Sequence, residues 1–325
     1  MRKKKNLSVP LKSVGLRFYR KPAYKKIPPI FYIERTTRLL KKELIPAEQW
    51  LKWLYHDPFG NLALEAVIKR KAFSRFYGRY MRSPNSSVKI KSFIKLFQID
   101  NSECEKDINA YSSFNDFFIR KIKKEYRSID PNPLSIISPV DGKLLAYDNL
   151  KKGLHFIAKG HDFSLPEFLN NKKLADEYLH GSMFIFRLTP ADYHRFHFPF
   201  DCTPGKSHVI KGKYYSVSPI SIKKKVKTFY QNKREYTIIR SKLFGDVIMA
   251  EIGATLVGSI KQTFTPHQTY KKGDEKGYFE YGGSSVILLF KANTINIDED
   301  LIHNTQLSYE TKVQLGEKIA SILHE

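Results

Sequence analysis

The sequence predicts an α+β protein, with a helical N-terminal region followed by a mainly β domain. The first observation is the helical spacing of apolar and basic residues from Phe31 to about Arg82. The second is a change near Pro131-Asn132-Pro133, after which short apolar runs alternate with Gly, Pro and Asp. Such spacing is typical of strands joined by turns. We therefore expect a boundary near residue 130 and a β-rich domain over residues 131–325.

The elements before the boundary are predicted from their composition and prolines. Residues 1–26 are basic and unpatterned, which predicts a flexible arm. Residues 38–44 predict a helix that ends at Pro46, because proline is tolerated only in the first turn of a helix. That proline begins a second helix, and a third is expected over about 61–80.

The region over residues 27–130 is therefore expected to be helical, with a short aromatic helix at Tyr111–Phe118. Its helices carry Trp and Phe together with many Lys and Arg residues, a combination that suits a membrane interface. Ordinary helix packing with a solvated basic face explains the same pattern equally well. If the region does associate with a membrane, Trp50, Trp53 and Phe59 are the expected contacts.

The chain is strongly basic. It has 56 Lys and Arg residues against 32 Asp and Glu, which gives a formal net charge of +24. Such an excess predicts an anionic partner, either a nucleic acid or an acidic lipid surface, although a lysine-rich proteome would also contribute. Apolar residues make up 42% and aromatic residues 14% of the chain, which excludes disorder for most of it.

Cysteine use and hydropathy limit the cellular setting. Cys104 and Cys202 are the only cysteines, so the sequence offers neither a disulfide framework nor metal-ligand spacing, and a reducing compartment fits. No stretch approaches the roughly 18 apolar residues of a membrane span. The basic start Arg2–Lys5 is not followed by an apolar signal segment. We therefore expect no transmembrane helix and no signal peptide, so that any membrane contact is peripheral.

The tripeptide Gly283-Ser284-Ser285 is the most informative feature of the β domain. It lies between the aromatic segment Tyr278–Gly282 and the apolar run Val286–Phe290, which predicts a buried strand. Glycines entering a strand permit strained or closely approaching backbone. Composition alone does not single this serine out, because the same Gly-Ser pair occurs at Gly181-Ser182 and Gly258-Ser259.

An acid, a histidine and a serine together can activate a hydroxyl group. The β domain contains Asp141 in a Pro-Val-Asp-Gly turn, and His194 and His197 three residues apart. Such a trio can be drawn in most proteins, and the Asp-Gly pair is also an ordinary hairpin signal. Zinc binding by the two histidines lacks a third ligand at suitable spacing, so no metal is expected.

Several segments of the β domain form an ordered set of motifs. They are Pro139-Val140-Asp141-Gly142, Lys159-Gly160-His161 before Ser164-Leu165, the complete Arg-Leu-x-Pro-x-Asp-Tyr-His-Arg-x-His of Arg187–His197, Gly253–Ile260 and Gly282–Ser285. Together they resemble the phosphatidylserine decarboxylase family over about residues 130–320. The Gly-Gly-Ser-Ser of the last motif replaces the common L-G-S-T and resembles the branch sometimes called type II. The upstream segments Phe114–Phe118 and Arg127–Asp130 also resemble the family.

The resemblance implies a proenzyme that cuts itself between Gly283 and Ser284. Residues 1–283 would form the β chain and residues 284–325 the α chain of a heterodimer. Ser284 would become a covalent pyruvoyl cofactor. The resemblance implies that Ser284 is the nucleophile, and our choice for its base is His197, oriented by Asp141. We expect His194 to donate a proton or contact substrate, and the roles of the two histidines could be exchanged.

The implied enzyme is a pyruvoyl-dependent carboxy-lyase. Its cofactor forms a Schiff base with phosphatidylserine and releases carbon dioxide to give phosphatidylethanolamine. The expected partner is phosphatidylserine in an anionic membrane. The expected location is the cytoplasmic face of a bacterial cell membrane. The sequence leaves undecided whether the heterodimer assembles into a higher oligomer.

Three competing functions have weaker support from the sequence. A pyruvoyl decarboxylase of a soluble amino acid would use the same cofactor, but the basic aromatic helices and the family motifs favour a lipid substrate. A serine hydrolase would need a Gly-x-Ser-x-Gly elbow at Ser284, which the sequence lacks. A nucleic-acid-binding protein would explain the charge, but the sequence carries no recognition signature for nucleic acid.

Overall fold

The computed structural model describes residues 29–45, 48–57, 59, 62, 64, 71–150, 163–216, 228–253, 259–282 and 284–323. The predicted arm over residues 1–26, the Lys159-Gly160-His161 motif, most of the Gly253–Ile260 motif and Gly283 lie outside these residues.

Strands dominate the described part of the chain. In chain order they are β1 Phe31–Glu34, β2 Leu39–Lys42, β3 Ser135–Ile137, β4 Gly142–Tyr147, β5 Ser182–Leu188, β6 Arg195–His197, β7 Thr203–Pro204, β8 His208–Ile210, β9 Arg234–Ser241, β10 Gly245–Gly253, β11 Ile260–Gln262, β12 Glu275–Phe279, β13 Ser284–Phe290, β14 Ile295–Ile297, β15 Glu310–Val313 and β16 Lys318–Ile322. The helices are α1 Glu48–His56, α2 Lys71–Met81, α3 Lys89–Phe97, α4 Phe114–Phe118, α5 Leu165–Leu169, α6 Lys172–Asp176, α7 Thr228–Gln231 and α8 Glu299–Gln306. The predicted α+β class with a β-rich domain is confirmed.

One large sheet organises the described residues. Its strand order is β2-β1-β15-β4-β5-β13-β10-β9-β7, with β8 also paired to β9. Its pairings are antiparallel except that of β1 with β15. Strand β13 lies inside this sheet, between β5 and β10, and all of its residues are buried. The predicted strand at Val286–Phe290 is therefore confirmed.

Two smaller sheets pack on one face of the large sheet. Their strand orders are β11-β12-β6 and β14-β16-β3. The core between them includes Val286 and Leu288 from β13 and Phe196 from β6. The other face of β13 packs Ile287 and Leu289 against the helices α5 and α6. Each such fully buried side chain contributes about 1.5–3 kcal/mol, so burial on both faces explains the continuous apolar run.

A separate aromatic cluster is built by the chain before the β domain. It joins residues of α2, α3 and α4, including the fully buried Phe117 and Phe118. Helix α4 begins at Ser113, whose Oγ accepts a hydrogen bond from the Asp116 N–H at 3.1 Å. This helix confirms the aromatic helix predicted near residues 111–118.

The prediction of helix from Phe31 through residue 44 is wrong for residues 31–42. These residues form the hairpin β1–β2, and β1 pairs with β15 in parallel, Tyr32 opposite Glu310. Pairing with a strand so distant in sequence overrides the local helical spacing. Helices α1 and α2 do lie where helices are predicted. The N-terminal region is therefore only partly helical, and its first strands belong to the large sheet.

Within the described residues, none of the helices has both the length and the apolar composition needed to span a membrane.

Candidate functional site

Ser284 is the first residue of β13 and is completely buried. It lies opposite Leu188 of β5 and Gly253 of β10. Because side chains alternate along a strand, Ser284 shares a face with Val286 and points into the core between the sheets. Its Oγ has no hydrogen-bond partner among the described residues. A buried polar group without a partner costs about 1–3 kcal/mol, so this hydroxyl requires an explanation.

The loop that leaves β5 beside Ser284 carries the first histidine. Asp192 closes this loop, because its carboxylate accepts hydrogen bonds from the Thr189 N–H at 2.6 Å and the Thr189 hydroxyl at 2.7 Å. His194 follows and is completely buried. Its Nδ1 donates to the Asp192 carbonyl oxygen at 2.8 Å. That bond places the proton on Nδ1, so Nε2 carries a free lone pair.

Nε2 of His194 has no hydrogen-bond partner among the described residues. Burial lowers the pKa of His194 to about 4, against the opposing charge of Asp192, so the ring is neutral near pH 7. The backbone of Gly282 lies close enough to raise that pKa slightly, although Nε2 does not reach hydrogen-bond geometry. His194 therefore presents an unoccupied neutral base next to the segment that leads into Ser284.

Gly282 has a φ of 140°, a conformation that favours glycine because it has no Cβ. This backbone turn lies directly before Gly283 and the start of β13. The sequence interpretation of glycines entering a strand in strained geometry is therefore confirmed at Gly282.

His197 lies in β6 and uses both of its ring nitrogens. Nδ1 donates to the Gly273 carbonyl oxygen at 2.8 Å, and Nε2 accepts from the Tyr193 hydroxyl at 3.3 Å. Burial lowers the pKa of His197, while the hydrogen bond to Gly273 and the charges of Glu275 and, to a smaller extent, Asp141 oppose that shift. The backbone N–H of His197 also donates to the Pro139 carbonyl oxygen at 2.9 Å, so the turn that carries Asp141 lies next to His197.

Asp141 is buried and is held by Arg127. The Arg127 guanidinium donates to its carboxylate from Nε at 3.0 Å and from Nη2 at 2.6 Å. The Leu315 N–H donates to the same carboxylate at 2.8 Å. Among the described residues, the hydrogen bonds of Asp141 do not include one to His197. The structure thus brings the two residues close without the hydrogen bond that the predicted relay needs.

Ser259 differs from Ser284 in its surroundings. Its Oγ donates to the carboxylate of Glu280, which also pairs with Arg82 at 3.1 Å. The hydroxyl of Ser259 therefore has an acceptor, whereas that of Ser284 has none within the described ranges of the chain. This contrast distinguishes two serines that the sequence presents in the same Gly-Ser pair.

A buried ionic cluster next to the site was not predicted. Arg187 lies opposite Ser285 in the sheet and pairs with Glu43 at 2.7 Å and with Glu310. Lys143, in the neighbouring strand, lies 3.9 Å from Glu43. The available signal was the presence of Lys143 and Arg187 within otherwise apolar strands, because such buried charges need partners.

Comparison with known proteins gives a consistent result. Residues 114–321 match the family described as phosphatidylserine decarboxylase. The phosphatidylserine decarboxylase proenzyme of Fusobacterium nucleatum is 51% identical over 292 residues, which cover 90% of this chain and 97% of that protein. The proenzyme of the same name from Desulfitobacterium hafniense is 47% identical over 290 residues, covering 89% and 97%. That of Clostridium botulinum is 48% identical over 292 residues, covering 90% and 99%.

The lowered pKa of His194 predicts a pH dependence of stability. Between its ordinary pKa of about 6.5 and its folded value of about 4, the unfolded chain binds a proton that the folded chain does not. The free energy of unfolding should therefore fall as the pH is lowered through this window. In a Ser284→Ala chain, His194→Gln should reduce that fall by up to about 3 kcal/mol, measured by urea unfolding between pH 7 and pH 4.

The exposed His303 offers the matched control. In the Ser284→Ala chain, His303→Gln makes the same substitution at an exposed position and so controls for the chemical change itself. Equal slopes with and without His194 would show that the buried ring does not resist protonation.

Proposed function

Because this chain belongs to the phosphatidylserine decarboxylase family, we propose that it cuts itself between Gly283 and Ser284 and then decarboxylates phosphatidylserine to phosphatidylethanolamine. The observation that carries the proposal is the buried hydroxyl of Ser284, which starts a central strand and finds no partner among the residues that the structure describes. Neither a soluble amino-acid decarboxylase nor a nucleic-acid-binding protein has comparable support.

Self-cleavage begins with attack of the Ser284 Oγ on the carbonyl carbon of Gly283. The amide becomes an ester, and the Ser284 nitrogen becomes a free amine as the hydroxyl proton is transferred to it through a base. Loss of the α-proton of Ser284 then breaks its Cβ–Oγ bond, which leaves a carboxylate on Gly283 and a dehydroalanine end. Water hydrolyses that end and releases ammonia, leaving a pyruvoyl group at position 284. The glycines before Ser284 leave room for the attack because they carry no Cβ.

The surroundings of Ser284 fit a pyruvoyl group. Serine places an O–H donor in a fully buried position where it finds no acceptor among the described residues. Conversion to a keto group removes that donor and so removes the cost of burying it. When present, the group supplies an electron-withdrawing carbonyl for decarboxylation of a substrate amine.

The proton transfers are divided between two histidines. His197 acts as the base for self-cleavage, and Asp141 stabilises its charged form; support comes from the backbone hydrogen bond between His197 and Pro139, in the turn that carries Asp141. This relay requires Nε2 of His197 to leave the long 3.3 Å contact with Tyr193. His194 moves a proton at the substrate, because its Nε2 is free to do so. The same free Nε2, near Gly282, favours the exchanged assignment as the second candidate.

The two proposed chains remain together after the cut. Residues 284–323 contribute β13 between β5 and β10, and β15 between β1 and β4. Separation would expose the buried residues of β13 and break its hydrogen bonds on both sides. The α and β chains therefore form a heterodimer.

A lipid substrate gives a role to the net charge of +24. The protein binds peripherally to the cytoplasmic face of a bacterial membrane, where each Lys or Arg near an anionic surface contributes about 1 kcal/mol. Exposed apolar side chains support contact through the helical part, namely Phe59 (76% exposed), Leu62 (67%) and Phe76 (75%). Trp53 is half-buried against a small apolar cluster, so its expected contact with the membrane is not supported.

The first prediction concerns the cut. Purified wild-type protein should separate on a denaturing gel into two fragments, with the small fragment beginning at position 284 and blocked at its N-terminus. Ser284→Ala should remain whole and inactive because the nucleophile is lost. Ser259→Ala is the matched control and should still be cut. An intact 37.9 kDa chain in an active wild-type preparation would contradict the proposal.

The second prediction separates the histidines. His197→Gln and Asp141→Asn should each slow self-cleavage by about 10²–10⁴-fold, since that is the usual contribution of a general base. His194→Gln should be cut and should lose decarboxylation per cut molecule. The measurements are fragment appearance during pulse-labelled synthesis and carbon dioxide release. Slow cleavage in His194→Gln with normal cleavage in His197→Gln would reverse the assignment.

The third prediction concerns the membrane. Phe76→Asp should weaken binding to phosphatidylserine-containing vesicles by about tenfold or more, because inserting one phenylalanine contributes about 1.5–3 kcal/mol. Vesicle sedimentation measures the change. Leu307→Asp, also at an exposed apolar residue (54% exposed), should bind as the wild type does. Equal binding of both variants would exclude Phe76 from the contact.

A further inference from the structure

The segment that leads into Gly283 is anchored by residues far away in sequence. The Glu280 N–H donates to the Ser259 carbonyl oxygen at 3.1 Å. The Tyr281 N–H donates to Oδ1 of Asn115 at 3.0 Å. Asn115 is buried in helix α4. Its side-chain oxygen accepts the hydrogen bond that the backbone carbonyl oxygen of a neighbouring strand would accept within a sheet. The last N–H before the two glycines is therefore held by the N-terminal half of the chain.

The side chain of Tyr281 is held by the same helix. Its ring centroid lies 5.1 Å from that of Phe114 and 5.0 Å from that of Phe118, both in edge-on geometry. Tyr77 of α2 adds a third ring at 5.8 Å. Aromatic pairs of this kind contribute about 0.5–1.5 kcal/mol each beyond burial. Tyr281 is thus fixed through both its backbone and its ring.

Helix α4 also holds the loop that carries His194. The ring of Phe118 lies 3.9 Å from the ring of His194, centroid to centroid. Just after the helix, Nη2 of Arg120 donates to the Ala191 carbonyl oxygen at 3.0 Å. Nε of Arg195 donates to the Ile119 carbonyl oxygen at 2.9 Å. One short helix therefore contacts both the segment before Gly283 and the histidine segment.

The helix is itself held firmly. The Phe114 N–H donates to the buried Ser86 hydroxyl oxygen at 2.9 Å, and Ser113 caps its first turn. Phe117 and Phe118 are fully buried. A helix held in this way can fix the relative position of the two segments that it contacts, the one before Gly283 and the one that carries His194.

We propose that Asn115 is a positioning residue for self-cleavage, which holds Tyr281 so that the glycines after it present the scissile bond to Ser284. The inference rests on the proposed function of this chain. Gly282, with φ of 140°, has wide conformational freedom, and Gly283 is a second glycine. A glycine has no side chain with which to anchor itself, so the anchors of this segment are Tyr281 on one side and Ser284 in β13 on the other. Loss of the Asn115 acceptor releases one of these two ends.

The test compares substitutions that remove or keep the acceptor. Asn115→Leu has similar size without the acceptor, and it should slow self-cleavage by about tenfold to a hundredfold, as expected for misplacement of reacting groups. Asn115→Asp keeps an oxygen for the Tyr281 N–H and should restore most of the rate. Cleavage is followed by fragment appearance during pulse-labelled synthesis of the full chain. Decarboxylation per cut molecule should be less affected than the cleavage rate in Asn115→Leu.

A control distinguishes positioning from loss of stability. Asn171 also accepts a backbone N–H with its side chain, that of Leu174 at 3.1 Å, and it caps helix α6, which lies on the face of β13 opposite to Ser284. Asn171→Leu should be cut at the wild-type rate. Thermal unfolding of all variants in a Ser284→Ala chain shows whether the substitutions destabilise the fold equally.

The outcomes separate this inference from the proposed function. Wild-type cleavage by Asn115→Leu, or equal slowing by Asn115→Leu and Asn115→Asp, would overturn the positioning role alone. Equal slowing by Asn171→Leu would also overturn it. A wild-type chain that remains whole would overturn both the proposed function and this inference.

Discussion

The hydroxyl of Ser284, buried without a hydrogen-bond partner in the described part of the chain, is the constraint on which the rest of the site depends. Strand β13 is covered on both faces and paired on both edges, so Ser284 cannot turn to water. Its neighbours in the sheet decide what surrounds it. Leu188, opposite Ser284, ends β5 and starts the loop to His194, so the strand register itself delivers a histidine to the start of β13. The proposed chemistry at Ser284 therefore depends on sheet pairing.

Buried charges link strand β5 to Glu43, which follows the N-terminal hairpin of the same sheet. Arg187 crosses from β5 to Glu43 and Glu310, and its neighbour in the sheet is Ser285. Removing one partner of such a buried pair typically costs about 3–5 kcal/mol, because the remaining charge stays desolvated. The segment around Glu43 is for that reason part of the same folded unit as the large sheet. The parallel pairing of β1 with β15 leads to the same conclusion.

Sequence patterns predict the parts of this protein that are governed locally. The apolar run Val286–Phe290 predicts its strand because burial on both faces needs no polar alternation. The closely spaced aromatic residues of Tyr111–Phe118 predict helix α4. The hairpin β1–β2 is missed because its partner β15 lies almost at the other end of the chain. Family motifs single out Asp141, His194, His197 and Ser284 as candidate site residues. They do not indicate which atoms of these residues form hydrogen bonds or ion pairs. The Arg127 partner of Asp141 and the Asn115 partner of Tyr281 are long-range contacts that no local pattern encodes.

The two histidines show how similar residues acquire different uses. Each donates from Nδ1 to a backbone carbonyl oxygen, that of Asp192 for His194 and that of Gly273 for His197. Both rings therefore carry their lone pair on Nε2, and burial lowers the pKa of both. Their protonation states thus do not distinguish them; the difference is access. The Tyr193 hydroxyl donates to Nε2 of His197, whereas Nε2 of His194 has no partner among the described residues. In the proposed relay, the Tyr193 hydroxyl must therefore leave Nε2 of His197 before that nitrogen can take the proton of Ser284. A relay that begins at His194 would not need this step.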